Sequence, residues 1–146
     1  MSEFKFIDAD GNAKTYPNGV TVVGGSDHSA HDWTDTSWSE GPRYLFDNSV
    51  YTKMCFYILN SSSDMPAWFI VDLGDPSSGG GIDLSVYTRY QWWTANDSAT
   101  IYRCPGSWQI FVSNDGTSFT CIDEVTSFTS VNKNYALAYT SGYLTV

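Results

Sequence analysis

The stretch Trp108 to Glu124, WQIFVSNDGTSFTCIDE, reads as two strands joined by a reversal. Trp108, Ile110 and Val112 fall two apart, Asn114-Asp115-Gly116 interrupts the run, and Phe119 and Cys121 open a second alternation. Apolar residues at every second position give a strand one buried face, and Asn, Asp and Gly tolerate the positive φ that a reversal needs. A β-hairpin here sets the expectation for its surroundings.

Working outward, Ala67 to Leu73, AWFIVDL, is a nearly continuous apolar run, the pattern of a central strand buried on both faces. Ile82 to Tyr90 alternates with Ile82, Leu84 and Val86 inward, and Tyr51 to Leu59 places Met54, Phe56 and Ile58 on one side. Glu3 to Asp8 alternates around Phe4 and Phe6 and is turned by Asp10-Gly11-Asn12, an edge hairpin, while Val20 to Val23 is a strand ended by Gly24-Gly25. Tyr135 to Thr140 and Tyr143 to Val146 are the last strand candidates. Short strands separated by turn signals, with no 3.6-residue stripe, indicate an all-β antiparallel sandwich or barrel. Two long segments, 26–43 and 91–107, carry no periodicity, and loops of that length are usually functional or mobile.

The chain has 146 residues, the size of one domain with a real core, and 42% of them are hydrophobic. No apolar run approaches the roughly 20 residues of a membrane span. No signal peptide opens the chain, so Met1 is read either as a genuine start or as the start of a fragment. A formal charge of −9 with only 7 Lys and Arg argues against nucleic acid or an anionic membrane as partner. The acid either keeps an aromatic-rich surface soluble or holds calcium. Cys55, Cys104 and Cys121 allow at most one disulfide and show no zinc spacing; Cys55 and Cys121, inside strand-like runs, are expected to be buried.

Three segments in order resemble the discoidin family, which includes coagulation-factor C domains and family 32 carbohydrate-binding modules. LFDNSVYTK at 45–53 is similar to the family's hydrophobic-DG-x-x-x-T-x-W signature, and AWFIVDLG at 67–74 to its W-hydrophobic-DLG strand. The run from Tyr87 to Phe119 resembles its T-x-AND loop, Arg-x-Pro-x-x-Trp approach and SNDG hairpin. The resemblance implies a jelly-roll β-sandwich over residues 1–146 with binding loops at one end and a structural calcium ion. Asn48 stands where the family has Gly after Asp47, and Asn also accepts a left-handed conformation. The family's closing Ser-Glu strand is missing at the C-terminus, whereas Ser2-Glu3-Phe4-Lys5-Phe6 has its pattern. That order implies a circular permutation in which Glu3 joins Asp47, Asn48 and Thr52 around the ion; an edge hairpin with Glu3 in solvent is the competing reading.

On chemistry alone, Asp47 is either an Asx-turn residue or, with the Asn48–Thr52 turn, a source of the oxygens a hard cation takes. Trp33, Trp38, Trp92 and Trp93 fall in the two aperiodic segments, near His31, Arg89, Gln91, Asn96, Asp97 and Arg103. Aromatic rings stack on the C–H faces of sugars, and planar or charged groups take the hydroxyls; for each Trp, plugging an end of the sandwich competes. Trp68 and Trp108 lie in strand signatures and are expected in the core. His28 and His31 form a weak metal pattern, and Asn60 and Asn96 head glycosylation sequons. Asp123 and Glu124, adjacent in a strand, point to opposite faces and cannot flank one bond. No nucleophile elbow, phosphate loop or metalloprotease motif is present. The leading expectation is a non-catalytic glycan-binding module at a cell or virion surface, or otherwise extracellular; the alternative is a structural or protein-docking domain of a phage tail fibre or surface adhesin.

Overall fold

The protein is described from a computed structural model, over residues 1–26, 32–56, 66–99, 104–129 and 131–144. Those residues are nearly all β, in antiparallel sheets, with two short 3₁₀ turns, Pro42–Leu45 and Pro76–Ser78. A three-stranded sheet has the order β1 (Glu3–Ile7), β4 (Arg89–Trp93), β7 (Leu137–Thr140). Strands β2 (Thr21–Ser26) and β3 (Trp68–Asp72) pair separately, as do β5 (Trp108–Val112) and β6 (Thr120–Val125).

Strand β4, RYQWW, occupies the middle of the three-stranded sheet because its period of two has an apolar half. Tyr90 and Trp92 are buried to 0% and 1% exposure, with Arg89, Gln91 and Trp93 half-buried on the other face. Phe4 of β1 stacks on Tyr90 at 5.0 Å, and Tyr139 of β7 approaches the same ring at 5.7 Å. With Phe6, Trp33, Leu45, Met54 and Ile122 these residues make the core. The aperiodic reading of 91–107 is thereby corrected: the alternation continues through Gln91 and Trp92, and the adjacent Trp93 masked it.

The hairpin is present, with Trp108 opposite Val125 and Val112 opposite Thr120. Gly116 takes a φ of +70°, and Asp115 accepts hydrogen bonds from the N–H groups of Thr117 and Ser118 at 2.8 and 2.7 Å, which holds the reversal. A bulge between Ile110 and Phe111 shifts the phase, so Ile122 turns inward and Cys121 outward, against the expected buried Cys121. Two hydrogen bonds join the hairpin to the central sheet. Trp108 Nε1 donates to Tyr90 Oη at 2.6 Å, and the Tyr90 hydroxyl donates to Asp123 Oδ2 at 2.5 Å.

Other readings change. β2 runs through Gly24 and Gly25 rather than stopping at them, with a bulge after Val22. Gly25 is required there: a Cβ would lie 2.5 Å from the Trp33 ring. β3 belongs to a two-stranded sheet rather than a doubly covered centre, and Trp68 is 47% exposed, not core. Residues 51–56 form no strand, yet Met54 is buried by pairing with Met1 (N–H to carbonyl, 2.9 Å) and Phe56 sits 5.4 Å from Trp33. In 82–90 the strand begins only at Arg89, because Asp83 caps a turn through Ser85 and leaves Val86 48% exposed. Tyr143 and Leu144 are not in a strand.

Candidate functional site

Three groups of side chains carry the sequence-predicted site residues. The first is the outer face of the three-stranded sheet. Because β4 alternates, Arg89, Gln91 and Trp93 share that face. Lys5 lies opposite Gln91 and holds its ammonium 5.7 Å from the Trp93 ring centroid, within cation–π range. On the other side Thr140 lies opposite Gln91 and accepts from Gln91 Nε2 at 3.2 Å, while Leu137 lies opposite Trp93 and is 48% exposed. The Arg89 guanidinium sits over Tyr143 at 4.9 Å, and its Nε is buried with no hydrogen-bond partner among the described residues. The face therefore carries an aromatic ring, a carboxamide and two cations, and on its β1 side Glu3 and Ile7, opposite Trp93 and Arg89, are buried, so it is the β4–β7 side that is exposed.

The second group is the Asp47 turn. Asn48 has a φ of +61°, as a residue next best to glycine permits, and the turn brings Asp47, Ser49 and Thr52 together. Thr52 Oγ1 lies 2.7 Å from Asp47 Oδ2 and 3.0 Å from the Ser49 carbonyl oxygen, so a single hydroxyl proton faces two acceptors. Glu3, on β1, is 1% exposed, and its Oε2 has no partner among the described residues. Burial pushes the Glu3 carboxyl up to about 7; Lys5 pulls it down, Asp47's charge adds to the rise, and the N–H groups of Phe4 and Ser49 oppose it. Glu3 thus meets the Asp47 turn rather than solvent. An orphaned buried carboxylate oxygen beside a second carboxylate, a carbonyl and a hydroxyl is a donor set that a calcium ion fits. Among the described residues no three His, Cys, Asp or Glu side chains gather, so these two carboxylates and neutral oxygens are the available ligands.

The third group joins the two long segments. Lys53 reaches Asp97 at 2.8 Å and Glu40 at 3.1 Å, which ties 94–99 to 32–43. Asn96 is exposed beside it. Trp38 is half-buried and edge-on to Trp33, 5.1 Å between centroids. A hollow of about 90 Å³ beside Trp33, bounded by Thr34, Asp35 and Arg43, is well below the roughly 300 Å³ at which ligand pockets begin.

Two expectations are corrected. Trp33 is 5% exposed and Trp92 1%, so both rings fill the core and neither can stack on a ligand. His31 and Arg103 lie outside the described residues, as do His28 and Asn60. Sequence reasoning missed Lys5, Thr140 and Tyr143, whose place depends on which strands pair; the alternation that sets Lys5 opposite Phe4 and Phe6 was its one signal. Among the described residues no helix is long and apolar enough to cross a membrane. No family model matches the chain, and neither a curated protein nor a solved structure matches it.

Proposed function

We propose that the protein is a non-catalytic carbohydrate-binding module, a circularly permuted jelly-roll sandwich of the discoidin type, stabilised by calcium and acting outside the cell or on a cell or virion surface. The observation that carries this reading is the shared face of Arg89, Gln91 and Trp93, half-exposed and flanked by Lys5. A sugar ring lays its C–H face on an indole and directs hydroxyls to planar or charged groups beside it. Glu3, Asp47, Ser49 and Thr52 would hold the calcium, whose charge would compensate two carboxylates in one turn. The permutation is supported by Glu3, which reaches the Asp47 turn from the first strand.

A glycan array with titration calorimetry tests the binding. Trp93→Ala weakens sugar binding by about 1 kcal/mol or more, the scale of one aromatic contact, and leaves the domain folded. If Trp93→Ala binds as wild type does, the ligand sits elsewhere. The metal is tested by melting with calcium and with chelator. At a hundredfold excess over Kd, calcium adds about 2.7 kcal/mol of stability. Glu3→Gln loses most of that increment; an identical calcium response in both proteins removes Glu3 from the site.

A further inference from the structure

We infer that the ligand of the outer face is an extended glycan chain running along β4, not a single terminal sugar; this rests on the binding reading above and names its substrate class. The face is longer than one ring. It begins at Tyr143, 69% exposed over Arg89, and passes Gln91 with Thr140 to reach Trp93 with Leu137. Tyr135, in the turn that leads into β7 two residues before Leu137, stands beyond that end of the strand, and Tyr51 lies against it with centroids 5.4 Å apart. The four residue steps along β4 alone span roughly 13 Å, and the tyrosine pair lies beyond them.

The two tyrosines at its far end are not there for the core. Tyr51 is 80% exposed and Tyr135 43%, and neither packs into the central cluster. Tyr135 also has a φ of +53°, a conformation that strains any residue with a side chain. The next residue holds it there: Ala136 N–H donates to Thr94 Oγ1 at 2.8 Å, and Thr94 N–H to the Ala136 carbonyl at 2.9 Å. A strained backbone that presents an exposed ring without burying it suits contact with something outside the chain. Rings at both ends and at Trp93, with Arg89, Gln91, Thr140 and Lys5 between them, repeat the stacking and hydroxyl-binding pair that successive sugars need. Both ends of the row are exposed, and among the described residues nothing closes either end against a longer chain.

The test is isothermal titration of wild type, Trp93→Ala and Tyr51→Ala/Tyr135→Gly with cello-oligosaccharides, chito-oligosaccharides and oligogalacturonides, each from the single sugar to the hexasaccharide. Glycine suits the positive φ, so the double variant keeps or raises the melting temperature. The expected result is that in one series wild-type affinity climbs by about tenfold or more with length, the scale of one further aromatic contact. The double variant then loses the climb but keeps short-chain affinity, and Trp93→Ala weakens every length. Equal affinity at all lengths overturns the extended chain and leaves the glycan reading standing. No binding in any series overturns both, and a dimer that dissociates on Trp93→Ala assigns the face to a second copy.

Discussion

Glu3 links chemistry to stability at the scale of one side chain. Its folded pKa of about 7 stands above the ordinary 4.5, so the folded chain holds a proton that the unfolded chain has released between those values. In chelator, the contribution of Glu3 to stability is therefore full below about pH 4.5, falls as pH rises through 7, and levels off beyond it. The shift corresponds to about 3 kcal/mol. Urea titrations from pH 4 to 8 read this slope, which Glu3→Gln flattens; a wild-type slope of zero shows that Asp47 and burial do not act on Glu3 as described. The proposed calcium ion, in excess, would suppress the slope by favouring the ionised form. The nearness of Glu3 to the Asp47 turn has no local signal in the sequence, since no spacing relates positions so far apart. Trp33 and Trp92 misled because loop composition surrounds them, and burial is decided by which strands meet. Tyr135 gave no signal at all, since a strained tyrosine looks in sequence like any other.

Among elements, β4 contributes to both faces of its sheet, and substitutions on the two faces differ in kind. Trp92→Ala removes a ring at 1% exposure and costs about 3 to 5 kcal/mol. Trp92→Phe costs less, because Trp92 Nε1 has no partner among the described residues to lose. Tyr90→Phe strands the Trp108 N–H and the Asp123 carboxylate, a loss of about 2 to 3 kcal/mol. Urea unfolding followed by near-ultraviolet circular dichroism ranks these three against Trp93→Ala. A Tyr90→Phe protein as stable as wild type disproves the clamp between hairpin and sheet. The hairpin itself was readable, because its period of two and its turn residues are local. Its inward face was half misread, since a bulge reverses the phase without leaving a mark in the sequence. β3 was misjudged for a related reason: a continuous apolar run says that a strand is sticky, not how many neighbours cover it.

For the whole molecule, all-β antiparallel architecture was legible from many short alternations, while the order β1-β4-β7 was not, because pairing between distant strands has no local code. That order has a consequence during synthesis. Ser2 and Thr94, joined by a hydrogen bond from Ser2 Oγ to the Thr94 carbonyl, stand 92 positions apart. Translation at about 5 to 20 residues per second puts the partner of β1 on the order of 5 to 20 s behind it. Throughout that wait β1 has only its local bridge from Ile7 to Ala13 and the Lys14 N–H bond to the Phe6 carbonyl, so Phe4 and Phe6 stay uncovered on the β4 side, the kind of segment that recruits chaperones or sticks to another nascent copy. Trypsin should cut at Lys5 in chains arrested before Arg89 emerges and spare it once β4 and β7 are out; early protection at Lys5 would mean that β1 first finds another partner.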